Sequence, residues 1–387
     1  MDFEFSEEQR LLIESARTFA CRELAPHAAD WDRDHHFPVD VIRLAADQGF
    51  LALYLDEADG GLGLSRLSAS LIFEQLAAGC VATTAFLTIH NMASWMLARF
   101  AEPALKDAWL PRLISGELLA SYCLTEPDAG SDAAHLRTRA RREGDSYVID
   151  GSKCFISGAG STQVLIVMAR TGEDGARGIS CFLVPGDAEG VRYGRNELKM
   201  GWRAQPTRTI TFEGVRIPAG NRIGPEGQGF VYAMKGLDGG RINIASCSLG
   251  AAEAALEQSL RYVEERKQFG KPLAEFQALQ FRLADMLTDL VASRQMVRLA
   301  AHKLDAGDAE ASLYCAMAKR FATDHCFELC NQALQLHGGY GYLNDYPLER
   351  WVRDSRVHQI LEGTNEIMRV IIARRLLEQG GMLDRIA

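Results

Sequence analysis

The spacing of apolar residues changes character twice along this chain. Up to about residue 120, apolar positions recur every three or four residues, the period of a helix with one buried face. Ser6-Glu7-Glu8-Gln9 has the form of a capping box, and Leu12, Ala16 and Phe19 follow it at helical spacing. Pro26 ends that run, Pro38 opens a second helix, and Gly60-Gly61-Leu62-Gly63 breaks the chain. Longer helices are expected over residues 67–78 and 83–100, with a shorter one between Pro103 and Gly116. From about 121 to 225 the pattern shifts to strands. Residues 164–169, 179–184 and 209–215 are β-branched-rich runs separated by Gly, Pro and Asp. Tyr147-Val148-Ile149 and residues 153–156 flank Asp150-Gly151, which predicts a hairpin turning at that pair. Beyond Gly229 the helical period returns over 242–266, 276–304 and 309–336, each long enough for a bundle. A last helix is expected from about 364 to 377.

Composition narrows the classes. With 387 residues the chain exceeds a single core and should divide into two or three packed units. Its 42 basic and 51 acidic residues leave a net charge of −9, which argues against a nucleic-acid partner. No stretch approaches the ~20 uncharged apolar residues of a membrane span. The acidic start, Met1-Asp2-Phe3-Glu4, does not look like a signal peptide, so a soluble intracellular protein is expected. The nine cysteines lie in apolar segments without a CxxC pair, and Cys326 and Cys330 stand one helical turn apart. They read as buried free thiols, not as disulfides or a metal site.

Three segments carry more hydrogen-bonding chemistry than a linker needs. Tyr122-Cys123-Leu124-Thr125-Glu126-Pro127-Asp128-Ala129-Gly130-Ser131-Asp132, at the helix-to-strand junction, offers amides and hydroxyls to an anionic or heterocyclic ligand. An ordinary interdomain loop would read the same way. Gln335-Leu336-His337-Gly338-Gly339-Tyr340-Gly341 can end a helix on a left-handed glycine, and its paired glycines also admit a ligand to the backbone. His337 alone reads as a structural histidine. Arg353-Asp354-Ser355-Arg356-Val357-His358-Gln359-Ile360-Leu361-Glu362-Gly363-Thr364-Asn365-Glu366 sets Glu362 between apolar residues and a glycine, where a lone Glu ordinarily faces solvent. Gly158-Ala159-Gly160-Ser161-Thr162-Gln163 opens like a dinucleotide fingerprint, but it lacks the third glycine and precedes a strand-like run. A Rossmann NAD site is therefore excluded.

Taken together, in order and spacing over nearly the whole chain, these segments resemble the acyl-CoA dehydrogenases. Residues 239–250 (Gly-Gly-Arg-Ile-Asn-Ile-Ala-Ser-Cys-Ser-Leu-Gly) and 155–160 (Phe-Ile-Ser-Gly-Ala-Gly) bring the resemblance nearest to members acting on isobutyryl-CoA. The stretch 353–368 adds to it, with Leu361 where many relatives carry Tyr. The resemblance implies an α+β multidomain fold. Its parts would be an N-terminal helical domain (1–120), a middle antiparallel β-domain (121–225) and a C-terminal four-helix bundle (226–387). It also implies FAD as cofactor, a homotetramer, electron-transferring flavoprotein as electron acceptor and a role in valine degradation. The compartment would be a bacterial cytoplasm or a mitochondrial matrix.

The family's reaction removes an α-proton and a β-hydride from an acyl-CoA, leaving a 2-enoyl-CoA. The resemblance makes Glu362 the base and flavin N5 the hydride acceptor. The backbone N–H of Glu362 and a ribityl hydroxyl would then hold the developing oxyanion, such donors being worth about 3 kcal/mol each. Burial against ligand and flavin would raise the Glu362 pKa and strengthen it as a base.

Position by position, the resemblance places Tyr122, Leu124, Thr125, Gly130 and Ser131 along the flavin, Ser131 also near the thioester arm. Phe155, Ile156 and Ser157 would pack on the isoalloxazine. Arg266, Gln268, Gln277, Gln335, Leu336, His337, Gly338 and Gly339 would reach the FAD of a neighbouring subunit, and Thr364, Asn365 and Glu366 its adenosine-diphosphate part. Asp238, Arg241, Gly363 and Arg374 would contact the acyl-CoA. Some relatives place the base near position 240. Here Gly239 and Gly240 supply no carboxylate, and their missing side chains would leave room for a branched acyl chain. Residues 89–92 would form the pocket floor, with His90 shaping it. The sequence leaves open 2-methylbutyryl-CoA or straight short chains as substrate, oxygen as acceptor, and a non-catalytic protein retaining the fold.

Overall fold

The computed structural model describes residues 4–378. Helix α1 (Glu7–Phe19) begins on the expected capping box: the Ser6 hydroxyl accepts from the Gln9 N–H and the Gln9 side chain accepts from the Ser6 N–H, both at 3.1 Å. A π-helical turn extends it over Ala20–Leu24. Helix α2 (Ala28–Asp34) is absent from the sequence reading because its seven residues include four charges and give no usable period. Pro38 precedes α3 (Val39–Asp47). Helices α4 (Arg66–Gly79) and α5 (Val81–Phe100) are buried on nearly every face, and α6 (Pro103–Ile114) closes the region.

The middle region is one eight-stranded sheet of β1 (Ala120–Cys123), β2 (Arg139–Glu143), β3 (Ser146–Ser157), β4 (Val164–Arg170), β5 (Ile179–Pro185), β6 (Val191–Tyr193), β7 (Thr207–Pro218) and β8 (Arg222–Ile223). The order is β6-β7-β3-β2-β4-β5-β8, with β1 paired to β4 off that path. Pairing is mostly antiparallel, but β1 runs parallel to β4, and β2 meets β4 in parallel at one residue pair. Asp150-Gly151 does not turn the chain. It lies within β3, where the register against β7 slips between Ile149 and Gly151, and the hairpin turns instead at Gly144-Asp145. A Cβ on Gly151 would meet the Thr138 Cα at 2.6 Å, so that glycine serves a bulge and a close approach.

Helix α7 (Gly229–Glu265) starts well before Ile242, and its 37 residues run through Gly236, Gly239 and Gly240. Each glycine costs a helix about 1 kcal/mol relative to alanine, so packing must compensate. Gly236 lies against Met92 and Met96, and Gly239 against the Arg66 guanidinium. The short hairpin β9 (Lys267–Gln268) and β10 (Lys271–Pro272) leads to α8 (Gln277–Asp305) and α9 (Ala311–His337). Helices α10 (Leu348–Arg356) and α11 (Asn365–Glu378) complete the described chain. Helix α9 packs against α7, α8 and α11, while α4 and α5 cover the N-terminal half of α7. All nine cysteines are free; eight are buried as expected, and Cys21 is exposed. No described helix is long and apolar enough to cross a membrane.

Candidate active site

Glu362 sits on a short connection between α10 and α11, and its backbone is left-handed, with φ at 56° and Gly363 following at 86°. A non-glycine residue held there costs of order 1 kcal/mol, so the surroundings must impose it. Upstream, the Leu361 N–H donates to the Val357 carbonyl at 3.0 Å and its side chain packs on the core. Downstream, the Thr364 hydroxyl caps α11 by accepting from the Ile367 N–H at 3.2 Å. Two cations grip the turn itself. The Arg241 Nε donates to the Glu362 carbonyl at 3.4 Å, and the wholly buried Lys319 donates to the Gly363 carbonyl at 2.8 Å.

This backbone carries the carboxylate onto α7 at Gly240, where a Cβ would lie 2.4 Å from the Glu362 Oε2. The space expected to admit a branched acyl chain is therefore filled by the carboxylate. Oε2 is sealed and has no hydrogen-bond partner. Burial pushes the Glu362 pKa up to about 7, against the opposing pull of Arg241 and Lys319. Asp238 and Arg241 pair at 2.6 Å, and Asp238 also accepts from Ser312, so both are held beside the turn.

The β-domain presents a second set of groups. The Ser121 hydroxyl donates to the Ser157 carbonyl at 2.6 Å and the Cys154 N–H to the Thr125 carbonyl at 2.9 Å, which lays residues 121–125 beside 154–157. Lys153, wholly buried, bonds the Leu124 carbonyl at 2.9 Å and Glu126 at 2.7 Å. Glu126 in turn accepts from the Arg137 and Thr138 N–H groups at 2.6 and 3.0 Å. Burial works against the Glu126 charge, yet Lys153 and these donors hold its carboxyl below the usual range. Phe155, at φ 58°, turns its ring outward and leaves it 71% exposed. Ser157 is half-buried, Gly130 and Ser131 are exposed, and the Tyr122 hydroxyl is sealed without a partner. The Glu362 charge, after burial, raises the Tyr122 pKa, which ties this ledge to the Glu362 corner. Ile156 departs from the expectation: strand alternation turns it into the β-domain core, where it is 3% exposed. Leu124 is likewise a core side chain.

A third set lies at the other end of α7. The Arg266 guanidinium stands 5.5 Å from the Tyr340 ring centre, next to exposed Gln268, Gln277, Gln335, Gly338 and Gly339. Gly338 ends α9 with φ 59° and ψ −136°, a combination open to glycine but outside the left-handed cap expected there. Leu336 and His337 are buried; His337 stacks on Tyr262 at 4.2 Å, and its Nε2 is sealed and unpartnered. From Gly240 to the end of α7 is about 38 Å along the helix axis, so this set and Glu362 stand at opposite ends of the bundle.

The Asn365 side chain is 3% exposed and accepts from Lys319 at 2.8 Å while donating to Thr323 and Asp324 at 2.9 and 2.7 Å. Glu366 and Arg374 are exposed on α11, and Thr364 is half-buried. In the 89–92 stretch, His90 is a neutral pin. Its Nδ1 accepts from the Ala120 N–H and its Nε2 donates to the Leu113 carbonyl, each at 3.1 Å, and burial lowers its pKa to about 4. Sequence reading missed Lys153 and Lys319, since each sits in a run of otherwise ordinary strand or helix pattern. No group of metal-ligating side chains occurs among the described residues.

Three family descriptions match the chain end to end: the acyl-CoA dehydrogenase N-terminal domain over residues 6–117, its middle domain over 121–215 and its C-terminal domain over 227–377. The chain belongs to the acyl-CoA dehydrogenase family. The mitochondrial isobutyryl-CoA dehydrogenase of Bos taurus is 55% identical over 97% of this chain and 90% of that protein. The solved structure of butyryl-CoA dehydrogenase from Megasphaera elsdenii superposes with a TM-score of 0.94 at 36% identity, covering 97% of this chain and all of that one. The solved FAD complex of PigA matches with a TM-score of 0.94 at 32% identity, covering 97% and 99%. The enzyme is thus an acyl-CoA dehydrogenase and its cofactor is FAD. The residues fit that cofactor: an outward aromatic at Phe155, an unpartnered hydroxyl at Tyr122 and an Arg208 Nε sealed without an acceptor all lack what a heterocyclic ligand offers.

Proposed function

We propose that this enzyme dehydrogenates a short branched acyl-CoA, isobutyryl-CoA before others, with Glu362 removing the α-proton. The observation that carries the reading is the Glu362 carboxylate pressed on Gly240, with its Oε2 buried and unpartnered and its pKa raised to about 7. A base of that strength is half ionised near neutral pH and far stronger than a solvated carboxylate. The Glu362 N–H is our candidate donor to the thioester oxygen as charge develops there. Arg241 and Asp238 keep the turn in place and border the acyl-CoA. Bound FAD supplies the acceptor for the β-hydride. Tyr122, Thr125, Phe155 and Ser157 form the ledge on which the flavin ring would lie.

The branched substrate is favoured by the likeness to the bovine enzyme. With Gly240 covered by the carboxylate, room for the branch must come from elsewhere in the pocket. The groups around Arg266 and Gly339 are too far along α7 to serve the same cofactor, and we assign them to the FAD of a second copy in a homotetramer. Electron-transferring flavoprotein is our candidate acceptor. Anaerobic flavin bleaching by a panel of acyl-CoAs, followed by reoxidation with air or with that flavoprotein, tests the reading. Isobutyryl-CoA should bleach fastest and air should reoxidise slowly. Faster bleaching by butyryl-CoA or 2-methylbutyryl-CoA would reassign the substrate, and rapid reoxidation by air would make the enzyme an oxidase.

A further inference from the structure

Lys319 stands on α9, in the run Ala316-Met317-Ala318-Lys319-Arg320-Phe321, and is wholly buried. An amine taken out of water needs partners, and this one has two. It donates to the Gly363 carbonyl and to the Asn365 Oδ1, each at 2.8 Å. The first acceptor belongs to the turn at Glu362, and the second opens α11 directly after it. Asn365 is itself fixed from below, donating to Thr323 and Asp324 at 2.9 and 2.7 Å. The ammonium therefore closes a buried network reaching from α9 to the left-handed turn at Glu362 and Gly363. That backbone is the unusual feature of the site, and without it the carboxylate would not reach Gly240.

We propose that Lys319 is the positioning residue for Glu362: its buried amine, donating to the Gly363 carbonyl and the Asn365 side chain, locks the 363–365 backbone, holds the left-handed turn and lends its positive charge to the carboxylate. The inference deepens the reading of Glu362 as base and rests on it. Charged and titratable groups reach the pair from each packed element. Arg241 comes from α7, Asp324 from α9 itself, Glu366 from α11, and Tyr122 and Tyr54 from the N-terminal and β regions. His358 also feels the Lys319 charge, but burial keeps it neutral. Arg241 and Lys319 are the two cations that pull the Glu362 pKa down against burial. Burial lowers the Lys319 pKa, and the Glu362 carboxylate opposes that fall. Removing Lys319 removes one of two supports for the ionised carboxylate, so the Glu362 pKa must rise.

The test compares FAD-loaded wild type, Lys319→Met, Lys319→Gln and Lys319→Arg. One readout is the infrared carboxyl titration of Glu362, assigned by its loss in Glu362→Gln. The other is the pH profile of anaerobic flavin bleaching by isobutyryl-CoA. In Lys319→Met the titration midpoint and the acid limb should both move up by about one pH unit. The rate at neutral pH should fall about fivefold while KM changes less than about twofold. Lys319→Arg should bring the midpoint back towards wild type. Lys319→Gln keeps a donor to Gly363 without the charge, and carries the same test if the Met variant does not fold. A midpoint unmoved in the uncharged variants overturns the proposal, whatever the rate does. If Glu362→Gln turned over normally while the midpoint moved as stated, the base assignment would fall and the role of Lys319 in holding the carboxylate would stand.

Discussion

The two ends of α7 were made for different company. At the Gly240 end, every approach is dictated from within the chain. A strained backbone, two cations and a bare stretch of helix bring one carboxylate against Gly240, with its Oε2 buried. At the Arg266 end the surface is open. Phe269 is 93% exposed, Tyr342 is 80% exposed, and added side-chain carbons on Gly338 and Gly339 would touch nothing. Exposed aromatics beside an arginine and bare glycines are what a surface looks like before a partner covers it. The first end is closed around one carboxylate, and the second leaves aromatic rings and bare glycines open to solvent.

Substitutions should separate the ends sharply. Gly240→Ala forces a Cβ into the Glu362 carboxylate, and we expect flavin bleaching to slow about 100-fold, since displacing a reacting group by an ångström has that scale. Gly339→Ala, which meets nothing within the chain, should slow bleaching of the FAD-loaded enzyme far less and weaken FAD retention instead; an equal loss of bleaching at both glycines would erase the distinction.

Next comes the ledge between the ends. Lys153→Met strands Glu126 as a buried, unpaired charge, which should cost about 3–5 kcal/mol in a denaturant titration. A loss below about 1 kcal/mol would mean the pair is not the brace described here.

The acid side of the pH profile follows from the raised Glu362 pKa. The active form is the carboxylate, so as pH falls through about 7 the rate should drop, approaching tenfold per unit. Wild-type stopped-flow data that stayed level until about pH 4.5, the range of an ordinary Glu, would contradict the sealed environment.

The smallest effect belongs to the open end. Arg266→Ala should change monomer stability by less than about 0.5 kcal/mol yet weaken FAD retention several-fold on gel filtration. Unchanged retention would remove Arg266 from the cofactor surface.

Much of this architecture was legible in the sequence. The capping box at Ser6, the change of period near residue 121 and the long C-terminal helices all follow from patterns that local physics enforces. What escaped was non-local. Asp150-Gly151 has the chemistry of a tight turn, but pairing with β7 and the contact with Thr138 turn it into a bulge. Helix was expected beyond Gly229, but the clear period began only at Ile242 because glycine-rich sequence argues against helix, and packing against Met92, Arg66 and Glu362 supports those first turns of α7. Glu362 itself read as a solvent-facing loop residue; resemblance singled it out, and the fold explains it. Lys153 and Lys319 carried no signal at all, since a buried lysine is recognised only by the carbonyls and carboxylates that three-dimensional structure brings to it. Ile156, which the resemblance sets against the flavin, turns its side chain into the β-domain core, and Asn365, set by it beside the adenosine-diphosphate part, turns its side chain onto Lys319.

Whether the carboxylate pressed on Gly240 is the base is tested most directly by anaerobic mixing of FAD-loaded Glu362→Gln with isobutyryl-CoA. Absorbance at about 450 nm reports the flavin. The amide keeps the shape and removes the proton acceptor, so bleaching should slow by at least about 10³-fold while the protein stays yellow and binds the thioester. Bleaching at the wild-type rate would show that another group takes the proton.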